Sequence, residues 1–165
     1  MLYVSIEPLP EPQDPDALAA LYARYAPVMM RVAYHLTGSR ADAEDVLHDV
    51  FLGLPDALRR YEERGRLEAW LVRLTARAAL TRGRRRRRAA ETPIDNKAIT
   101  RASPDVERVE IQSALRALPS SLRAVVVLKE IEGYSHAEIA KILGISVGAS
   151  EVRLSRAMKR LREAL

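Results

Sequence analysis

Gly133-Tyr-Ser-His-Ala-Glu-Ile-Ala-Lys-Ile-Leu-Gly-Ile-Ser146 is the stretch on which the fold turns. Ser135 stands where it can cap a short helix over His136–Leu143, and Gly144 supplies the left-handed residue that closes it. Ser146 caps a second helix, whose apolar residues Leu154, Ala157, Met158 and Leu161 recur at helical steps. A short helix, a tight Gly turn and a longer capped helix predict a helix-turn-helix. Ala140 is small where the two helices would cross, and Ile145 would fill the corner. The second helix would lie in a major groove, its free N–H groups and positive dipole turned toward phosphates. Arg153, Arg156, Lys159 and Arg160 run along its polar side. An ordinary helical hairpin also needs a turn; the cap, the spacing and the basic positions that follow favour DNA binding.

Upstream of this unit the chain reads as helix in two blocks. Residues 104–117 form one helix, stopped by Pro119, and residues 120–132 another, stopped by Gly133. Val125-Val126-Val127-Leu128 has strand propensity, but Leu122 and Ile131 extend a helical period around it. Ser103 as cap and Pro104 at the first helical position open this module. Residues 89–103 carry Pro93 among polar residues and read as a linker. Before it, three helices are expected in residues 16–88. The first runs over Leu18–Leu36, kinked by Pro27 and ended by Gly38. The second is capped by Ser39 with Asp42 in a capping-box position, carries the stripe Ala43, Val46, Leu47, Val50 and Leu54, and is bent or ended by Pro55. The third covers Leu67–Arg82. Residues 1–15, with Pro8, Pro10, Pro12 and Pro15, read as a flexible tail. The fold class is all-α: a small helical bundle over 16–88 and a helix-turn-helix domain over 104–165, joined by a flexible linker.

Composition agrees. The chain of 165 residues is 48% apolar but only 5% aromatic, so its cores are built from Leu, Val, Ile and Ala, which favours helices. The formal charge of +5 suits a polyanionic partner. There is no Cys, and His35, His48 and His136 stand at no metal-ligand spacing, so neither disulfides nor a metal site is expected. No apolar run approaches the ~20 residues of a membrane span, and Met1–Pro8 does not read as a secretory signal. These features point to the cytoplasm. No nucleophile motif, phosphate loop or acid cluster suggests an enzyme, and no cofactor or small-molecule substrate is implied.

Charge is segregated along the first module. From Ala41 to Asp56 there are five acids and no Lys or Arg; from Arg59 to Arg88 there are twelve Arg and three Glu. An acidic helix repels DNA and can dock on a basic protein, or be a solvated face. The basic helix and the run Arg84–Arg88 can neutralise phosphates, with a strong salt dependence, or trail as a disordered tail. Trp70 is core by habit; beside Arg73 and Arg77 it could also support unstacked bases.

These residues together resemble the extracytoplasmic-function group of bacterial sigma factors. Leu-Tyr-Ala-Arg-Tyr-Ala-Pro (21–27), Ala-Asp-Ala-Glu-Asp-Val-Leu-His-Asp-Val-Phe-Leu (41–52) and Ala-Trp-Leu-Val-Arg-Leu (69–74) look like the family's region two. Ala-Leu-Arg-Ala-Leu-Pro (114–119), the 132–148 stretch and Arg-Leu-Ser-Arg-Ala (153–157) look like region four. The resemblance implies that Asp42, Asp45, His48, Asp49, Phe51 and Leu52 dock on the clamp helices of the β′ subunit of core RNA polymerase. It implies that Trp70, Arg73, Arg77, Arg82, Arg84, Arg85 and Arg86 engage and melt the minus-ten promoter element. The minus-thirty-five element would be read by Ser146, Val147, Gly148, Ser150, Glu151, Arg153, Arg156, Lys159 and Arg160, with region four touching the β flap. An anti-sigma factor is a further partner common in the family. The chain departs from the family at Ala76-Arg77 and Thr81, where Arg-Asn and Asp are usual, at Pro55, where Trp is common, and at Glu151, where a Lys is usual. Glu151 either accepts from a cytosine amino group or repels phosphate. Two other readings stand beside this one: a free-standing helix-turn-helix regulator, and a degenerate sigma-like protein that binds polymerase or a regulator without initiating.

Overall fold

The computed structural model describes residues 11, 13–62, 66–89 and 106–165. Most of the expected tail and linker, and the expected Ser103–Pro104 helix start, lie outside these residues. Seven α-helices make up the described part: α1 (Pro15–Thr37), α2 (Arg40–Arg59), α3 (Leu67–Ala89), α4 (Val106–Ala117), α5 (Ser120–Val126), α6 (His136–Leu143) and α7 (Val147–Ala164). A wide π-helical turn, Val127–Ile131, continues α5. The Val125–Leu128 run is therefore helical, as its flanking period predicts.

Each boundary has a local cause. Asp14 caps α1 through the Asp16 N–H, and Pro15 sits at the start, where its missing donor costs nothing. Gly38 ends α1 at φ 73°, and the side chain of Arg116 lies where a Cβ on Gly38 would have to be. Both the backbone turn and the close approach demand glycine there. The Ser39 hydroxyl accepts from the Asp42 N–H at 3.3 Å, as expected of a cap. The Asp42 carboxylate, however, turns to Arg82 and Arg86 instead of closing a capping box.

Pro27 lies inside α1, as expected, and of the two outcomes open at Pro55 the helix does not end there: α2 runs on to Arg59. Burial of Leu54 and Leu58 on the inner face holds that last turn despite the lost hydrogen bond. Likewise α3 does not stop at Arg82: it continues through Gly83 and the whole Arg84–Arg88 run to Ala89. Arginine is a good helix former, and Arg82 and Arg86 are tied to Asp42 while Arg87 donates to the Ser120 hydroxyl at 2.8 Å.

The stripes read from the sequence become one core. Met29, Val32, Ala33, Val46, Leu54, Leu71, Val72 and Ala76 of α1–α3 are buried together with Val125, Val127, Leu128, Ile139 and Ile142 of the second module. The two modules are thus packed on one another through shared apolar contacts. A second, smaller cluster, Leu115, Leu118, Leu122, Val126 and Ala157, holds α4 and α5 to α7.

Candidate nucleic-acid interface

The helix-turn-helix is built as the sequence predicts. Ser135 and Glu138 form a full capping box at the start of α6: the Ser135 hydroxyl accepts from the Glu138 N–H and the Glu138 carboxylate accepts from the Ser135 N–H at 2.8 Å. Those hydrogen bonds, with Arg66 nearby, hold Glu138 below the usual carboxylate range. Gly144 closes α6 at φ 67°, and Ser146 caps α7 by accepting from the Ala149 N–H at 3.0 Å. His136 Nδ1 and Ser150 Oγ lie 2.8 Å apart and bridge the two helices.

On α7, Val147, Gly148, Glu151, Arg156, Lys159 and Arg160 are exposed, and Arg153 is half-buried. They form one solvent-facing side with the helix N-terminus at its edge, open to a groove. Ser150, expected among the DNA-facing residues, is fully buried and serves the α6–α7 packing instead. Its spacing of four, seven and eleven residues from Leu154, Ala157 and Leu161 places it on the inner side of the helix.

Residues expected at a melting surface lie along α3. Trp70 and Arg73 are half-buried, Arg77, Arg84 and Arg85 are exposed, and Arg82 and Arg86 are engaged with acids. Burial and the neighbouring Arg73 both lower the pKa of Arg77 from its ordinary value. The Trp70 ring leans on Tyr61, with ring centroids 4.7 Å apart. Together they wall a cavity of about 530 Å³ in which the basic Arg60, Arg66, Arg73 and Lys141 outnumber the acidic Glu62 and Glu138. Trp70 is accordingly neither pure core nor a free platform: it is an aromatic wall of a cationic pocket.

The expected docking residues of α2 split into two groups. Asp42 is buried and faces α3, where it accepts from both Arg82 and Arg86. Asp45 accepts from Arg82 Nη2 at 2.6 Å. The acidic and basic segments that stand apart in the sequence therefore neutralise each other along one α2–α3 seam. His48, Asp49 and Leu52 remain exposed on the outer face. Phe51 is half-buried, its ring edge-on to Tyr22 at 4.7 Å. Leu52 and Tyr22 are among the large apolar side chains left open to solvent, at 69% and 48% exposure. An outer face with one free carboxylate beside exposed apolar groups suits a protein partner better than DNA.

Polar groups between the modules were not anticipated. Arg31 forks onto Glu132 with both bonds made, at 2.7 and 2.8 Å. Arg66 reaches Glu138 at 3.0 Å. His35 Nδ1 lies 3.0 Å from Gln112 Oε1. Arg116 donates to the Gly38 carbonyl and Arg123 to the Leu36 carbonyl at 2.8 Å, so two guanidinium groups cover the negative end of α1. Only Glu138 carried a sequence signal, as the acid three residues after a capping Ser. Among the described residues no group of His, Cys, Asp and Glu could hold a metal ion, and no helix is long and apolar enough to cross a membrane.

A helical chain with an exposed basic recognition helix on one module and a cationic, aromatic-walled helix on the other defines a DNA-binding protein of two parts. Residues 21–89 match the Sigma-70 region 2 family and residues 108–161 match the Sigma-70, region 4 family. The RNA polymerase sigma factor CarQ of Myxococcus xanthus is 35% identical over 156 residues, covering 91% of this chain and 90% of that protein. The ECF RNA polymerase sigma factor SigE of Mycolicibacterium smegmatis is 34% identical over 155 residues; these cover 88% of this chain and 60% of SigE. Among solved structures, the sigma factor RpoE of Bartonella quintana, in complex with the anti-sigma factor NepR, has a TM-score of 0.75 at 24% identity, covering 88% of this chain and 94% of that one. The chain belongs to the extracytoplasmic-function group of sigma-70 factors.

Proposed function

We propose that this chain is a cytoplasmic promoter-specificity subunit that binds core RNA polymerase and directs where transcription starts, with no catalysis and no cofactor of its own. Residues 16–88 act as the polymerase-docking and minus-ten module, 89–103 as linker and 104–165 as the minus-thirty-five module. His48, Asp49, Phe51 and Leu52 meet the β′ clamp helices; Asp42 and Asp45 act from behind, by holding Arg82 and Arg86 in place. Trp70, Arg73, Arg77, Arg84 and Arg85 take the unpaired minus-ten strand, where stacking and phosphate neutralisation are both needed. Val147, Gly148, Glu151, Arg153, Arg156, Lys159 and Arg160 face the upstream duplex, and the same module touches the β flap. An anti-sigma factor is a further protein partner on this reading.

The observation that carries the reading is the opposition of surfaces: an outer face on α2 with the free carboxylate of Asp49 beside exposed apolar groups, and cationic faces on α3 and α7. The test is transcription from a promoter library with core polymerase and the purified chain. Specific initiation is the expected result, and Asp49→Lys should lower core affinity at least about tenfold while leaving duplex binding by the second module unchanged. A second reading rests on Glu151, an exposed acid at the start of the recognition helix. It makes the chain a polymerase-binding titrator, and polymerase binding without any initiation across the library would establish it in place of the first.

A further inference from the structure

Four residues fix how α7 is turned. Ser150 and Ala157 are fully buried, and Leu154 and Leu161 pack partly buried against Ala157 in the smaller core. At about 100° per residue these four lie along one line of the helix. The line directly opposite carries Gly148, Val152, Ser155 and Lys159, all of them exposed. Charge is sorted between the two flanks. Ala149, Arg153, Arg156 and Arg160 share one flank; Glu151 stands on the other, where the next basic residue along the helix is Arg162. Val152 is out of place on such a surface. It is 49% exposed and belongs to neither core cluster of the described residues, yet it is the bulky apolar member of the outermost line. Gly148, one turn before it, has no Cβ, and nothing lies within 4 Å of where one would stand. No side chain therefore projects ahead of Val152 from that line, and the valine can reach the floor of a groove.

The chemistry of the major groove limits what these side chains can meet. Its one apolar group is the C5 methyl of thymine, so an exposed valine on the leading line of a recognition helix gains most from that methyl. A carboxylate can only accept, and the cytosine amino group is the donor that Glu takes on a base edge. Phosphates on the arginine flank are neutralised, whereas a phosphate beside Glu151 is repelled. Glu151 is tolerated in the groove only where a base supplies it with a donor. We infer that Val152 and Glu151 set the base sequence that α7 selects: Val152 packs on the C5 methyl of a thymine, and Glu151 accepts from N4 of a cytosine. The arginine flank holds a phosphate strand and gives register without sequence information. This rests on the reading that α7 enters the upstream duplex, and it names what the helix reads there. The acid at position 151 thus works as a selector: it admits elements with cytosine at its site and turns others away.

The test uses the full chain bound to core polymerase, with duplexes randomised through the upstream element and selected by binding at fixed salt. The expected winners hold an invariant thymine and an invariant cytosine. Replacing the invariant thymines one at a time by deoxyuridine deletes a single methyl group, and at one of them binding should weaken about fourfold. Val152→Ala should bind that thymine duplex and its uracil counterpart equally. Exchanging the C·G pair for T·A turns an acceptor toward Glu151 and should weaken binding about tenfold. For Glu151→Gln, whose amide donates as well as accepts, the same exchange should cost less than about threefold. Both side chains are exposed, so neither variant disturbs the core, and the uracil duplex probes Val152 with no variant at all. Winners without an invariant thymine, equal binding of thymine and uracil duplexes by the native chain, or a Val152→Ala chain that keeps the native preference for thymine overturns the methyl contact. Weaker polymerase binding by Val152→Ala with base preference intact also overturns it, since the valine then meets protein. Winners without an invariant cytosine, or tighter binding of every duplex by Glu151→Gln with the cytosine preference unchanged, overturns the cytosine contact and leaves the acid as a repeller only. Selection of no upstream element at all removes the underlying reading, and both contacts with it.

Discussion

Arg123 is the side chain whose loss should be felt most where α1, α4 and α5 meet. It rises from α5, and its Nη1 donates to the Leu36 carbonyl at 2.8 Å while Nη2 donates to the Arg116 and Leu118 carbonyls at 2.9 and 3.0 Å. Three helix-end carbonyls, from α1 and from the end of α4, converge on one planar cation. Burial lowers its pKa, as do the nearby Arg87 and Arg116, yet it stays charged throughout the working range. Arg123→Met keeps the stem and deletes all three bonds. Hydrogen bonds to a charged donor contribute about 1.5 kcal/mol each at the low end, and partial exposure at this site takes the total to roughly 3 kcal/mol. For a chain of this length that is a fall of about 6–12 °C in Tm. Because the modules share one core, the melt should stay a single transition. Arg123→Lys, a point charge without the fork, should recover less than half the loss. The assay is thermal unfolding followed by far-UV circular dichroism. A fall of less than about 2 °C for the Met variant would refute the idea that this guanidinium ties the end of α1 and the end of α4 to α5.

Ser150→Ala removes the buried partner of His136 and should cost about 1 kcal/mol in denaturant unfolding; duplex affinity should fall with it, because α7 loses its register on α6. Arg153→Ala/Arg156→Ala should reduce the steepness of log K against log salt for duplex binding by about 1.8, and an unchanged slope would mean that neither residue meets a phosphate. Tyr134, buried beside Glu68 and Glu132, has its hydroxyl pushed up to about 12, above its ordinary value. The folded state therefore holds that proton more tightly than the unfolded one. Its contribution is complete below about pH 10 and is lost as pH rises toward 12. Tyr134→Phe should flatten that part of the stability curve, as read by urea titrations at a series of alkaline pH values.

The local logic of this chain was readable and its long-range logic was not. Caps, glycines and apolar periods located every helix of the helix-turn-helix to within a residue or two, since those signals act between neighbours in sequence. The errors fall where tertiary contacts override a local rule. Pro55 reads as a bend or an end of its helix, and the helix runs on because Leu54 and Leu58 anchor the turn around it in the core. Gly83 and five successive arginines read as the start of a tail, but Asp42 and Ser120 catch Arg86 and Arg87 from other helices. Asp42 and Ser150 sit among residues that face outward, and only the packed structure shows that both turn in. The pairing of Arg31 with Glu132 spans 101 positions, and no periodicity announces a contact of that kind.

The unbroken run of α3 has a mechanical consequence. At 23 residues it is a bar of about 34 Å, close to one full turn of B-form duplex. Its aromatic end and its guanidinium-rich end cannot shift separately. A residue inserted near Gly83 would swing the distal arginines by about 100° about the bar's axis while leaving Trp70 where it was. Tolerance of the bar to lengthening is thus a direct gauge of whether both ends grip the same stretch of nucleic acid at once.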